Sequence, residues 1–335
     1  MDTSAAHLKL LLSRAALSAW RAPIEAVLGS RPHVFVPVDE AVAQGRDDID
    51  LAFISRDITG LSTKHELAPE LKACYDVMRR SQGLQWVHIH SAGADRPVFV
   101  ELRQRGVTVT TSSGANAEVV AQTALAGVLA LARRLPQLID AQRARRWTPL
   151  LGEHLPRDLS GQRAMIVGWG PIGQRIGALL KALGLHVQVV RQRADAPAES
   201  GITMLSFDHM AQALPGTDWL ILACPLTAQT RGLVNAQTLA ALPAGACLIN
   251  VARGEVVCEA DLCAALAAGH LGGALLDVFE HEPLPGTSPL WDMPQVIVTP
   301  HSAGHSDGNE VRVAQLFLDN LTHWCAGRPL RNVVR

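Results

Sequence analysis

Three residues in the second half of the chain have the side chains that carbonyl and acid–base chemistry uses: Arg253, Glu282 and His301. A planar guanidinium can clamp a carboxylate through two parallel hydrogen bonds. An imidazole exchanges a proton near neutral pH, and a carboxylate beside it would hold the ring and favour its charged form. Each of the three sits in a polar stretch just past an apolar run. Asn250-Val251-Ala252-Arg253-Gly254 follows 247–251, Asp277-Val278-Phe279-Glu280-His281-Glu282-Pro283 follows 274–278, and Thr299-Pro300-His301-Ser302-Ala303-Gly304 follows 296–299. If those runs are parallel strands, their carboxyl ends lie on one side of a sheet, where open α/β sheets bind ligands. Alone, each residue also reads as a structural histidine, a surface arginine or a loop carboxylate, so the weight rests on the three together.

The element that would organise this site is Gly168-Trp169-Gly170-Pro171-Ile172-Gly173. An apolar run from 163 stops at Gly168, and after Gly173 the apolar residues recur at helical spacing. That predicts a strand, a glycine turn and a helix, the order a dinucleotide site needs. The first glycine allows the tight turn, the second lets a pyrophosphate approach the backbone, and the third lets helix pack on strand. The pyrophosphate would rest on amides at the positive end of the helix. The next strand, 186–190, ends in Arg191-Gln192-Arg193 with no carboxylate at its tip; Asp195 lies beyond. Arginine there suits a 2′-phosphate, whereas a carboxylate would repel it. The expected cofactor is therefore NADP(H), with NAD(H) possible, and the plainer alternative is a pair of arginines facing water.

Around this motif, apolar β-branched runs alternate with helical segments. Strands are expected at 33–38, 51–55, 86–90 and 107–111, then at 163–168, 186–191, 219–224, 247–251, 274–278 and 296–299. Strands separated by helices imply parallel sheets covered on both faces. Residues 1–30 read as a mostly helical or irregular lead-in interrupted by Pro23. The longest helix is expected over 116–135, bent or ended by Pro136, with Arg143, Arg145 and Arg146 as a solvated end. A final helix, about 309–326, comes after the second sheet is complete and is expected to return to the first domain. His88 and His90 alternate along one strand and so share a face, with no partner evident.

Composition excludes several classes. The 335 residues suffice for two domains; 48% are apolar and 18% charged, as in ordinary globular proteins. A net charge of −1 gives no basic surface for nucleic acid or membrane. No apolar run approaches the ~20 residues of a membrane span. Six scattered cysteines without a CxxC pair read as reduced thiols in a cytoplasmic protein. No metal site is expected, because Gly304 and Pro300 disfavour a helix that would aim His301 and His305 at one ion.

Taken in order, the motifs Val167-Gly168-Trp169-Gly170-Pro171-Ile172-Gly173, Cys224-Pro225-Leu226-Thr227 with Thr230, Asn250 to Gly254, Asp277 to Glu280 with Glu282-Pro283, and Thr299-Pro300-His301 resemble the D-isomer-specific 2-hydroxyacid dehydrogenase family over nearly the whole chain. Ser91-Ala92-Gly93-Ala94-Asp95 is similar to the family's substrate loop, and Gly114-Ala115-Asn116-Ala117 to its entry into the long interdomain helix. The resemblance implies two doubly wound parallel-sheet α/β domains. A Rossmann cofactor domain (114–304) would be inserted into a flavodoxin-like substrate domain (1–113 plus 305–335). It implies Arg253, Glu282 and His301 as the catalytic set, with hydride passing between NADP(H) and C2 of a small 2-oxo or 2-hydroxy acid. Ala92 and Gly93 would receive the substrate carboxylate beside Arg253 and His301. Cys224, Pro225, Thr230, Val251, Ala252, Asp277 and Gly304 would line the cofactor, Asp277 near the carboxamide. A homodimer through the cofactor domain is implied as well. Arg191 and Arg193 are similar to the NADP-preferring glyoxylate and hydroxypyruvate reductases. Cys258 and Gln122 depart from an Asp and a Glu usual in the family. With no regulatory domain after the last helix, the longer serine-regulated phosphoglycerate dehydrogenases are a poorer match.

Two other readings stand beside this one. A non-enzymatic NAD(P)(H)-sensing protein of the same fold would bind the cofactor without turnover of 2-oxo acids. A short-chain dehydrogenase needs a Tyr-x-x-x-Lys pair, and the single tyrosine, Tyr75, has Arg79 in the lysine position.

Overall fold

The computed structural model describes residues 7–63, 66–152, 155–192 and 201–334. The chain divides into two compact units: residues 1–116 with 306–335, and residues 117–305.

The first unit runs β1 (Leu8–Leu12), α1 (Arg14–Leu28), β2 (His33–Pro37), α2 (Val38–Ala43), β3 (Leu51–Ile54), α3 (Arg56–Thr59), α4 (Pro69–Arg80), β4 (Trp86–Ile89), α5 (Pro97–Gln104) and β5 (Thr108–Thr111). Its five strands are parallel in the order β2-β1-β3-β4-β5. The expected helical or irregular lead-in is corrected here: residues 8–12 form β1, an interior strand, and Pro23 lies inside α1 without ending it. A parallel strand covered on both faces is apolar throughout, so Leu8-Lys9-Leu10-Leu11-Leu12 lacks the alternation that marks an exposed strand. Leu8, Leu10 and Leu12 join Leu51, Phe53 and Trp86 under α1, while Leu11 faces Ala52, Ile54, Val87 and Ile89 on the other side. That alternation is the period of two a pleated strand imposes.

The second unit begins with α6 (Ala117–Ala132) and α7 (Leu135–Arg143), followed by β6 (Arg163–Val167), α8 (Pro171–Ala182), β7 (His186–Val190), β8 (Ile202–Leu205), α9 (Phe207–Ala213), β9 (Trp219–Leu222), α10 (Ala236–Ala240), β10 (Cys247–Asn250), α11 (Glu259–Ala267), β11 (Gly273–Leu276) and β12 (Val296–Val298). The seven strands are parallel in the order β12-β11-β10-β9-β6-β7-β8. The chain winds outward from β6 to β8, then returns to β9 on the other side of β6. The reversal between β6 and β9 is the switch point at which such sheets open a ligand crevice. Strand β8, a short edge strand, has no counterpart among the sequence expectations.

The helix expected over 116–135 is α6, and the chain bends by 68° into α7 beside Pro136, where an end or bend is expected. Arg134 takes a left-handed φ of 53° and Pro136 opens α7, where a missing N–H removes no hydrogen bond. Gly127 lets α6 lie close on the sheet, since a Cβ there would stand 2.6 Å from Leu275 Cδ1. Among the described residues, no single helix is long and apolar enough to cross a membrane, though the bent pair α6–α7 passes that test by length and composition. The last helix, α12 (Asn309–Cys325), belongs to the first unit and packs Val313, Phe317 and Leu321 against the α1 face of its sheet.

Candidate functional site

The glycine turn is built at the switch point. Gly168 has a φ of +101°, and its N–H donates to the Val190 carbonyl at 2.8 Å. A Cβ on Gly168 would stand 2.7 Å from the Ala223 carbonyl oxygen and 2.8 Å from Cys224 Cα, so only glycine lets the β6 and β9 tips meet. A Cβ on Gly173 would run into the Gly168 carbonyl, which is how α8 starts flush against the strand it leaves. Gly170 differs: it caps α8, and a Cβ there would meet nothing within 4 Å. That open approach to the start of a twelve-residue helix fits a dinucleotide pyrophosphate, with Pro171, Ile172 and Gly173 forming the first turn beneath it.

One strand over, Val190 pairs with Val167, and Arg191 follows directly, its N–H bonded to the Leu205 carbonyl at 3.0 Å. Arg191 is half-buried and Gln192 exposed at the strand tip. Arg193 and Asp195 lie outside the described residues.

At the β9 tip, Thr230 donates its hydroxyl proton to the Pro225 carbonyl at 2.7 Å and accepts from the Thr227 N–H at 2.8 Å. It is buried, so its side chain shapes the Cys224–Thr230 loop from within. Cys224 is buried beside it, and burial pushes its thiol up to about 11.

The β10 tip turns on Asn250, which is 1% exposed. Its Oδ1 accepts from the Ala252 N–H and its Nδ2 donates to the Arg253 carbonyl, both at 3.1 Å. Val251 and Ala252 are buried by that turn, while Arg253 keeps a half-exposed side chain whose Nη1 donates to the Ala252 carbonyl at 2.7 Å. A Cβ on Gly254 would overlap the Phe279 carbonyl group. The arginine loop therefore sits directly on the segment leading to Glu282.

That segment and the His301 loop are locked together by two carboxylates. Glu282 Oε1 accepts from the Phe279 N–H at 3.1 Å, and Oε2 lies 2.8 Å from His301 Nδ1. The Glu282 side chain is 10% exposed and that of His301 48%, so a buried anchor holds an accessible ring. With Nδ1 engaged, Nε2 is the ring nitrogen left for proton exchange. His301 has a φ of 49°, a conformation that costs about 1–3 kcal/mol in a residue with a side chain. The strain is held by Asp277. Its carbonyl accepts from the His301 N–H at 2.8 Å, and its Oδ1 takes Thr299 Oγ1 at 2.7 Å, the Ser302 N–H at 2.8 Å and the Ala303 N–H at 3.0 Å. Burial raises the Asp277 carboxyl above its ordinary range, and those hydrogen bonds pull against the shift. Thr123 of α6 ties the Ala303 carbonyl down at 3.2 Å, just before the half-buried Gly304.

Arg253, Asp277, Glu282 and His301 thus converge through one chain of contacts in the second unit. Ala92 and Gly93 belong to the first, at the β4 tip, where Ser91 Oγ donates to the Gly93 carbonyl at 2.8 Å. Sequence reasoning missed Asn250 and Thr299 as loop-forming residues and the part Asp277 plays in holding the histidine. A buried polar residue at each strand end was the available signal. Arg143, Arg145 and Arg146 are exposed.

Residues 125–303 match the family model described as the NAD-binding domain of D-isomer specific 2-hydroxyacid dehydrogenases. The chain is similar to the glyoxylate reductase/hydroxypyruvate reductase of Homo sapiens, at 31% identity over 74% of this chain and 76% of that one. It is also 31% identical to the D-3-phosphoglycerate dehydrogenase of Bacillus subtilis over 78% of this chain, but spans only about half (49%) of that longer protein. Among solved structures, a D-isomer specific 2-hydroxyacid dehydrogenase from Xanthobacter autotrophicus in complex with NADPH and MES superimposes with a TM-score of 0.77. It is 29% identical, and the match covers 99% of this chain and 98% of that one. With the switch-point glycine turn and the paired Glu282 and His301 already in place, these likenesses lead to one conclusion: the chain belongs to the D-isomer specific 2-hydroxyacid dehydrogenase family.

Proposed function

We propose that the protein reduces a small 2-oxo acid to the D-2-hydroxy acid with NADPH in preference to NADH, glyoxylate and hydroxypyruvate being the leading substrates. The observation that carries this reading is the Glu282–His301 pair, a buried carboxylate 2.8 Å from one nitrogen of an accessible imidazole. When bound, the reduced nicotinamide supplies a hydride to the carbonyl carbon. The chain's own residues do the rest. His301 Nε2 delivers a proton to the carbonyl oxygen, and the Glu282 carboxylate holds the ring by its Nδ1 during that transfer. The guanidinium of Arg253 pairs with the substrate carboxylate and polarises the adjacent carbonyl. The Ala92 and Gly93 backbone, in the first unit, receives a substrate carboxylate, and the second unit binds the cofactor. Cys224, Pro225, Val251, Ala252, Asp277 and Gly304 frame that cofactor, and the buried Thr230 shapes the Cys224–Thr230 loop from within.

Preference for NADPH rests on Arg191 at the β7 tip, where no carboxylate stands among the described residues. The NADPH complex of the Xanthobacter relative supports it. A homodimer through the second unit is supported by its exposed apolar side chains: Leu129, Leu135 and Ile139 on α6–α7, then Trp147, Leu151 and Leu155.

The test is oxidation of NADPH and of NADH with glyoxylate, hydroxypyruvate, pyruvate, phenylpyruvate and 2-oxoglutarate in parallel. Turnover with a small 2-oxo acid, faster with NADPH, is expected. Replacing Arg191 with alanine should weaken NADPH far more than NADH; equal loss for both would reject the phosphate contact. Tight cofactor binding with no turnover on any of the acids would instead make the protein a cofactor-sensing one.

A further inference from the structure

A second polar cluster lies away from the catalytic pair, in the core of the first unit. His88 is wholly buried, with its ring among Phe53, Trp86 and Phe317 at centroid distances of 5.9, 6.2 and 5.8 Å. Both ring nitrogens are bonded: Nδ1 to Thr110 Oγ1 at 2.8 Å and Nε2 to Ser112 Oγ at 3.0 Å. The directions of these bonds follow from their neighbours. Ser112 donates its only hydroxyl proton to the Ile89 carbonyl at 3.0 Å, so the proton between Ser112 and His88 sits on Nε2. Trp86 Nε1 donates to Thr110 Oγ1 at 2.8 Å, and the Thr110 proton goes to His88 Nδ1 at 2.8 Å in preference to the Val87 carbonyl at 3.5 Å. The result is a directed chain from Trp86 through Thr110, His88 and Ser112 to the Ile89 carbonyl.

That chain ends under the loop after β4. The Ser112 N–H donates to the Ser91 carbonyl at 3.0 Å, and Ser91 Oγ closes on the Gly93 carbonyl. Ser112 is thus held by its side chain to His88 and by its main chain to the first residue of the Ser91–Gly93 loop. We propose that His88, as a neutral ring protonated on Nε2, is a positioning residue that sets the conformation of the Ala92–Gly93 backbone for the substrate carboxylate. This rests on the assignment of that loop as the carboxylate receiver.

His88→Leu removes both hydrogen bonds to the ring and leaves Thr110 only its bond from Trp86 and Ser112 only its bond to the Ile89 carbonyl. His88→Gln keeps one donor and one acceptor. Ser112→Ala cuts the side-chain bonds to His88 and to the Ile89 carbonyl and leaves the main-chain bond to Ser91 in place. The expected result is a KM for the 2-oxo acid raised about tenfold in His88→Leu and Ser112→Ala, the equivalent of one hydrogen bond. Turnover number and NADPH affinity should hold within about twofold, and His88→Gln should restore most of the KM. A KM unchanged in both variants, with only the melting temperature lowered, would make the cluster a core feature and overturn the proposal. Nitrogen NMR of the wild-type ring tests it without any variant that must fold: Nε2 protonated and Nδ1 bare is expected, and the other tautomer or an imidazolium would overturn it. Wild-type turnover beside an unchanged KM rejects this inference alone. A wild type inactive on every 2-oxo acid rejects the functional reading, and this inference with it.

Discussion

Acid should unfold the first unit partly through His88, and the size of the effect can be worked out. Burial, with a smaller contribution from the charge of His90, holds the His88 ring down at about 3 against an ordinary 6.5. Phe53, Trp86 and Phe317 pack on it, and Thr110 and Ser112 are uncharged, so no carboxylate is bonded to the ring. The unfolded chain therefore takes up a proton near pH 6.5 that the folded chain refuses until about pH 3. Stability contributed by the neutral ring is complete above the unfolded value and falls as pH drops through that window. At 1.36 kcal/mol per unit, lowering the pH from 7.5 to 5 removes about 2 kcal/mol. For a unit of this size that is a melting shift of about 4–8 °C. Urea unfolding of wild type and His88→Gln at both pH values cancels every other titrating group in the double difference. Glutamine does not titrate, so the wild type should lose about 2 kcal/mol more than the variant between the two conditions. Equal losses would show that His88 takes up its proton at an ordinary pH, and would refute the burial argument.

Two further outcomes follow from packing and burial. Gly254→Ala drives a methyl into the Phe279 carbonyl, so it should cost about 1–3 kcal/mol of stability and raise the KM for the 2-oxo acid by displacing Arg253. Thermal melts and steady-state kinetics check both. Burial pushes Cys74 and Cys247 up to about 12 and Cys224 to about 11, so an alkylating reagent at pH 8 should leave all three intact in the folded protein. Peptide mapping should find label only on the partly exposed Cys258, Cys263 and Cys325; early labelling of Cys224 would contradict its burial.

Much of this architecture was legible because its signals are local. Gly168 and Gly173 encode close approaches that the structure shows at Ala223, Cys224 and the Gly168 carbonyl, and Gly170 an open one. The polar stretches after 247–251, 274–278 and 296–299 stand out because a buried parallel strand is otherwise apolar. What was not legible depends on tertiary context. The leucine run of β1 suits a helix as well as an interior strand until its partners at 33–37 and 51–52 are known. Strand β8 is four residues at a sheet edge, too short for periodicity to speak. Asp277 reads as a cofactor contact from its motif, yet its bonds run to Thr299, Ser302 and Ala303 in the loop after the next strand, β12. The partners of His88 were hidden for the same reason. Thr110 and Ser112 share one face of the β5 run, but only the β4–β5 register brings them to the ring.

The most direct test of the proposed chemistry is a single-turnover comparison of wild type and Glu282→Gln, with enzyme in excess over NADPH and hydroxypyruvate or glyoxylate saturating. Glutamine keeps the volume but loses the charge, and it puts an NH2 donor in place of one of the two oxygens that face the Phe279 N–H and His301 Nδ1. If Glu282 holds His301 ready to deliver its proton, hydride transfer should slow by roughly a hundredfold or more while NADPH affinity stays the same. A variant that oxidises NADPH at the wild-type rate would contradict the account at its centre.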